Sequence, residues 1–410
     1  MALFTHPSYD RLLMGSPLRR PGFAVVIGVV LLAVLWFSVE IQLGFLEGMR
    51  PDVASVFARA LFLSTMLAAV PVTILWFLDR RERETPWLFA AALFWGACIA
   101  TALSLPANSV FAAAVAGWVK ANPQLRETLG PDAVVLIVAP LSAPIVEETA
   151  KGLGLLAVFW LLRAEFDNMR DGFVYGALVG LGFTWFEAPL YIAQNYAEFG
   201  TAPWGRQLGF RYALFGLSGH PLFTGLFGAG LGLAMQTRRG WLKVLAPIVG
   251  FVLAVAAHFL NNVLPLLFAL AAAARGEAPP QESEAPPDLS FLDAFLSGSL
   301  VQLTVFLPFV AILALALWRS GVWERRVIRE ELAGEVGRAV STSEYEAILA
   351  DSMFRTRRID RLRKRESAAL VNAQHELAFR KRRVRDERND PERDPLVAGW
   401  RTEIERLRTR

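Results

Sequence analysis

The sequence is poor in cysteine, in histidine and, over most of its length, in charge. It has one cysteine, Cys98, so no internal disulfide can form and a disulfide-stapled scaffold is excluded. Residues 1–318 hold only 19 Lys/Arg and 21 Asp/Glu, while residues 319–410 hold 23 and 17. Charged side chains normally coat a soluble domain, and 318 residues with so few cannot cover one. The two or three soluble domains that 410 residues would otherwise suggest are therefore excluded. Intrinsic disorder and collagen are excluded by the 54% hydrophobic content and the positive mean hydropathy of +0.38. The net charge of +4 is a property of the last quarter and says little about substrates.

What the chain does have is long apolar runs. About 20 apolar residues cross a bilayer core, and eight stretches qualify: 22–42, 56–78, 86–105, 132–162, 172–196, 211–235, 242–270 and 293–318. The expected fold is all-α: a polytopic membrane protein of about eight transmembrane helices with a charged C-terminal tail. The first run is too long for a signal-peptide core and lacks a cleavage pattern, so it reads as retained. Three units follow: an N-terminal segment 1–21, a transmembrane domain 22–318 and a basic tail 319–410. Arginine placement orients them. Arg11, Arg19 and Arg20, then Arg80, Arg81 and Arg83, then Arg163 and Arg170, then Arg238, Arg239 and Lys243 alternate with loops holding one or two basic residues. Both termini are expected in the cytoplasm. The Pro-rich, acidic stretch 277–288 reads as an exposed loop. The tail reads as a solvated helix or disordered segment near anionic lipid, as in 355–365 and 380–388. It lacks aromatic interleaving and mixes both charge signs, so no nucleic-acid partner is expected.

Ionisable residues inside spans are costly and point to function. The fourth span carries Pro140, Pro144, Glu147, Glu148 and Lys151. At helical spacing Glu147 and Lys151 share a face, and Glu148 is three residues from the lysine. One lysine between two glutamates makes them unequal, as acid–base work requires. An ion-pair staple would explain one glutamate but not the second. Glu187 lies in the fifth span, His220 in the sixth, and His258 with Asn262 one turn later in the seventh. Structural roles compete here too: Glu187 as partner of an interfacial Arg211, the histidines as cross-helix hydrogen-bonders. Counted at about 1.5 Å per residue, Glu147, Glu187, His220 and His258 fall at one level between the midplane and the outer leaflet. That convergence favours a single polar site.

These residues resemble a known family. Glu147-Glu148-x-x-Lys151 is similar to the EExxK motif of the PrsW-type membrane proteases, and Phe183-x-x-x-Glu187 to their FxxxE motif. His220 and His258-x-x-x-Asn262 match the histidine-bearing spans, and Asp79-Arg80-Arg81-Glu82-Arg83-Glu84-Thr85-Pro86 resembles a loop before the third span. The resemblance covers roughly 60–270 and implies kinship to the glutamic-type CAAX prenyl endoproteases. Ala188-Pro189 departs from the asparagine common after the FxxxE glutamate, and the tail lies outside the match. The implied activity is intramembrane peptide hydrolysis. Glu147 takes a proton from water with Glu148 sharing it, Lys151 tunes the pair, and His258 and Asn262 stabilise the oxyanion. His220 and Glu187 orient water or complete the site. HExxH is absent, so no cofactor is favoured, although two histidines and a carboxylate suit zinc.

The chief alternative is a proton- or ion-coupled transporter using the same buried groups, without hydropathy repeats to support it. A lesser one is a rhomboid-like serine protease through Gly216-Leu217-Ser218-Gly219, with His258 as base; it leaves Glu147, Glu148 and Lys151 unused. A silent membrane scaffold that recruits partners through its tail is a third. For the protease, the expected partner is a single-span membrane protein cut near the outer leaflet, in a lipid bilayer, the expected location being a bacterial cytoplasmic membrane.

Overall fold

A computed structural model describes residues 16–79, 86–162, 166, 168–277, 288–352 and 364–409. The loop motif at 80–85, most of the acidic stretch 277–288 and nearly all of 355–365 lie outside the described residues. Among the described residues the chain is helical and has no β-strand. Helix α1 is Pro21–Glu47 and α2 Pro51–Leu78. Helix α3, Pro86–Phe94, passes through a π-helical turn, Trp95–Ala100, into α4, Thr101–Ala121. The short α5, Pro123–Leu129, precedes α6, Ala133–Leu141, and α7, Ala143–Leu161. Helix α8 is Met169–Phe199, α9 Trp204–Arg211, α10 His220–Gln236, α11 Gly240–Ala274 and α12 Phe291–Ala333. The tail adds α13 Thr342–Leu349, α14 Lys364–Asp386 and α15 Pro395–Arg408.

Among the described residues six helices are long and apolar enough to cross a membrane, and the pair α6–α7, bent by 43°, makes a seventh if counted as one span. The remaining expected span, 211–235, is not one continuous helix. Its helical part is the 17-residue α10, preceded by a stretch in which Leu214, Phe215, Gly216 and Gly219 all adopt positive φ. Lipid-facing α1 is exposed almost throughout, whereas α8 is buried for most of its length.

Glycine explains why α8 sits at the centre. Gly172, Gly176 and Gly180 repeat every four residues and so form one face. A Cβ on them would collide with the backbone of Gly228, of Thr224 and of His220 respectively. Two backbones in direct apposition are the usual membrane solution for close packing. The opposite side of α8 repeats the device, with Gly182 against the Leu93 carbonyl and Gly96 against the Val179 carbonyl. A capping box starts α8: the Asn168 side chain accepts from the backbone of Arg170 at 2.8 Å, and Asp171 accepts from the Asn168 N–H at 3.1 Å. The carbonyls loosened by the π-turn are taken by Gln42 Nε2, 3.0 Å from both Ala97 O and Cys98 O.

The tail differs from the solvated or disordered segment its charge density suggests. Its described part is a packed helical unit. Val327, Ile328, Leu332, Leu370, Leu377, Phe379, Val397, Trp400 and Ile404 form a core of their own. Part of the charge is turned inward. Glu335 is fully buried, with Lys381 Nζ at 2.5 Å and Arg401 Nη2 at 2.6 Å. Burial raises the Glu335 carboxyl, but hydrogen bonds from Arg401 and Lys381 outweigh it and hold the group below its ordinary value. Because α12 runs unbroken from the membrane region into this unit, the tail is tied to the transmembrane domain. Arg170 on α8 pairs with Glu324 on α12 at 2.8 Å.

Candidate active site

The bend between α6 and α7 sets up the site. Ser142 interrupts the helix and Pro144 falls in the first turn of α7, where its missing N–H is not needed. The Ala139 carbonyl at the end of α6 is taken by Asn262 Nδ2 from α11 at 3.0 Å. Glu147, Glu148 and Lys151 follow within the first nine residues of α7, all buried.

Lys151, from which solvent is fully excluded, is the hub. Its Nζ lies 2.8 Å from Glu148 Oε1, 2.9 Å from His220 Nδ1 and 3.4 Å from Glu147 Oε2. It also stands 4.0 Å over the Phe183 ring. Glu148 is held on every side, since its Oε1 also faces His258 Nδ1 at 3.0 Å and its Oε2 accepts from Thr224 at 2.9 Å. Glu147 is held more loosely: its Oε2 lies 3.9 Å from His258 Nε2, and its Oε1 faces Asn108 Nδ2 at 3.4 Å. Trp95, at the π-turn, donates to the Ala150 carbonyl at 3.0 Å and so braces α7 from that turn.

The two imidazoles are oriented alike. His220 Nε2 is 2.9 Å from Glu187 Oε2, and His258 Nδ1 is 3.0 Å from Glu148 Oε1. A carboxylate only accepts, so each of these nitrogens carries the hydrogen and the other nitrogen of each ring presents a lone pair. The lone pairs are His220 Nδ1, now facing Lys151, and His258 Nε2, facing Glu147. Glu187 is fixed in turn by Arg211 Nη1 at 2.5 Å, and the guanidinium stacks over Tyr191 at 4.9 Å.

Six of the seven residues singled out in the sequence thus meet in one connected cluster, drawn from α7, α8, α10 and α11. The Glu187–Arg211 pairing, expected as an alternative to a site role, coexists with the Glu187–His220 contact. Asn262 is the exception: its amide is spent on Ala139 rather than on the carboxylates. Sequence reasoning missed Asn108 and Thr224, which contact Glu147 and Glu148 from α4 and α10. Ser218 donates to the Ala213 carbonyl at 2.9 Å, while His258 faces the glutamates.

A divalent metal fits the donor set. Glu147, His220 and His258 offer atoms within 4.8 Å of one another, all buried. Each histidine has a carboxylate on its far nitrogen, the outer-shell pattern that fixes ring orientation in zinc sites. Two nitrogens and one oxygen suit a catalytic zinc with an open position. The lack of HExxH does not bear on a site assembled across three helices.

Fold and site together define the class: an integral membrane protein of packed helices enclosing a buried Glu–His–Lys centre. Residues 84–278 match the model of the PrsW family intramembrane metalloproteases, a segment that encloses every site residue named above. The match covers just under half of the chain, and the tail lies outside it. No curated protein and no solved structure matches the chain.

Proposed function

We propose that this chain is an intramembrane peptidase that hydrolyses a peptide bond of a membrane-protein substrate, with Glu147 as the reactive carboxylate. The observation that carries this is the inequality of the glutamate pair inside a buried centre. Glu148 has three close donors and stays put; Glu147 has only long contacts and an oxygen, Oε1, turned away from the lysine. The family match supports peptidase chemistry over ion transport.

In this reaction Glu147 takes a proton from water as the water oxygen bonds to the peptide carbonyl carbon, and the carbonyl π pair moves to oxygen. When the tetrahedral species collapses, the C–N bond breaks and the same proton goes to the leaving nitrogen, which releases an amine and an acid. Lys151 and Glu148 hold the local charge, and Glu187 and Arg211 fix His220. A zinc ion held by Glu147, His220 and His258 would supply Lewis-acid polarisation of the water. Glu147, His220 and His258 are the residues that would hold the ion, and Glu147 keeps its role as proton acceptor. The arginine distribution supports cytoplasmic termini, and the site's depth supports a single-span substrate cut towards the outer leaflet of a bacterial cytoplasmic membrane.

The test is cleavage of a panel of tagged single-span proteins in liposomes by wild type, Glu147→Gln and chelator-treated protein. Cutting by wild type that Glu147→Gln abolishes supports the proposal, and recovery on adding zinc after chelation supports the metal. Ion flux that Glu147→Gln abolishes, without any cutting, would overturn it in favour of a transporter.

A further inference from the structure

Acyl transfer needs a hydrogen-bond donor beside the carbonyl oxygen as negative charge develops there. Neither residue that the sequence offers for this presents a donor beside Glu147. The Glu148 carboxylate places the hydrogen of His258 on Nδ1, so the Nε2 that faces Glu147 is a lone pair and not a donor. Asn262 directs its Nδ2 to the Ala139 carbonyl at 3.0 Å, where it secures the helix bend, and has no hydrogen bond to either glutamate.

A second amide stands beside Glu147. Asn108 on α4 points its Nδ2 at Glu147 Oε1, 3.4 Å away. Its orientation is set by the buried Ser142, whose hydroxyl donates to Asn108 Oδ1 at 2.7 Å. With the oxygen so occupied, the NH2 group must face the carboxylate, and it has two hydrogens for one long contact. Asn108 is also partly exposed, whereas Glu147, Glu148, Lys151, His220 and His258 are buried. Its neighbours Pro106, Ala107 and Val110 and, across the bend, Leu141 and Ile145 are exposed at the lipid-facing surface. The less constrained oxygen of Glu147 therefore looks towards the side from which a membrane-embedded peptide can arrive.

We infer that Asn108, rather than Asn262, donates to the carbonyl oxygen of the scissile peptide, with Ser142 as the residue that positions it. The assignment rests on the peptidase reading above. No proton is transferred in this step: the amide N–H hydrogen-bonds the oxygen that receives the carbonyl π pair.

The test measures kcat and KM for one cleaved single-span substrate in liposomes, with melting temperatures of the same preparations. Asn108→Ala is expected to lower kcat about 100- to 1000-fold, the usual cost of removing an oxyanion donor, with KM little changed. Asn108→Asp, which keeps the shape but has no N–H, should fall as far. Ser142→Ala should fall by about tenfold, the equivalent of one lost hydrogen bond. Asn262→Ala should lower the melting temperature and cost less in kcat than Asn108→Ala. The inference is overturned if both Asn108 variants keep kcat within about threefold of wild type, or if Asn262→Ala removes kcat while melting is unchanged. If wild type and Glu147→Gln are equally inert on every substrate, the peptidase reading itself fails and this inference with it.

Discussion

Glu147 and Glu148 are adjacent in the chain yet unequally held: Lys151 Nζ is 3.4 Å from the first and 2.8 Å from the second. His258 widens the difference, at 3.9 Å from Glu147 and 3.0 Å from Glu148. An α-helix turns successive side chains by about 100°, so one residue points at the lysine and Thr224 while the other reaches past them towards Asn108. Two identical carboxyl groups thereby acquire two environments and, under the proposed function, two roles.

Substitution should separate those roles. Glu147→Gln is expected to abolish cleavage and leave the melting temperature close to wild type, because only long contacts are lost. Glu148→Gln removes one side of a fully buried ion pair, a change that costs about 3–5 kcal/mol. It should therefore lower stability as well as activity. Thermal melting in detergent beside a cleavage assay checks both; equal melting losses for the two variants would contradict the assignment.

Gly180 should tolerate no side chain. Its missing Cβ lets the His220 backbone lie directly against α8, so Gly180→Ala forces the helices apart. A cost of about 3 kcal/mol is expected, at the upper end for overpacking, together with lost activity as His220 leaves Glu187. Gly117 is a control, since nothing stands within 4 Å of a Cβ there. Gly117→Ala should be stabilising by up to about 1 kcal/mol through helix propensity.

Ser218→Ala should retain full cleavage activity. The hydroxyl bonds the Ala213 carbonyl, and its loss removes one local contact from the turn before α10. Loss of cleavage with unchanged melting would restore the serine-protease alternative.

The tail should lose stability in acid. Glu335 and Asp394 lie below their ordinary values: burial raises each, and the hydrogen bonds of Arg401 and Lys381, and of Arg380, outweigh it. Glu392 is lowered to about 2 by hydrogen bonds from Arg401 and Arg338, but it is largely solvent-exposed and counts for less. A depressed carboxylate contributes stability that is present above its unfolded value and lost as pH falls through its folded one. The destabilisation caused by Glu335→Gln should therefore be large at pH 7 and shrink once the pH falls below about 4. Melting of full-length protein at several pH values checks this; a difference that grows in acid would contradict it.

Much of the cluster was legible because motif residues announce themselves in an apolar background: Glu147, Glu148, Lys151, Glu187, His220 and His258 are ionisable residues of spans four to seven that the structure brings together. Asn108 was not legible. It sits on an exposed, Ala-rich stretch, and its partners Ser142 and Glu147 lie more than thirty residues away, at the α6–α7 bend and on α7. Asn262 was legible as a residue one turn from His258, but sequence spacing says nothing of its contact with the Ala139 carbonyl. In the tail, Arg401 and Lys381 read as solvated charge, and only folding shows that they converge on the buried Glu335. At 211–235 left-handed turns at Leu214 and Phe215 interrupt an apolar run that hydropathy reads as continuous, which leaves a 17-residue helix.

The most direct test of the central claim is cleavage of a single-span substrate in liposomes prepared in ¹⁸O-labelled water, read by mass spectrometry of the new C-terminus. The account predicts one ¹⁸O atom in the new carboxyl group with wild type and no product with Glu147→Gln. Product formed at the wild-type rate by Glu147→Gln would contradict it.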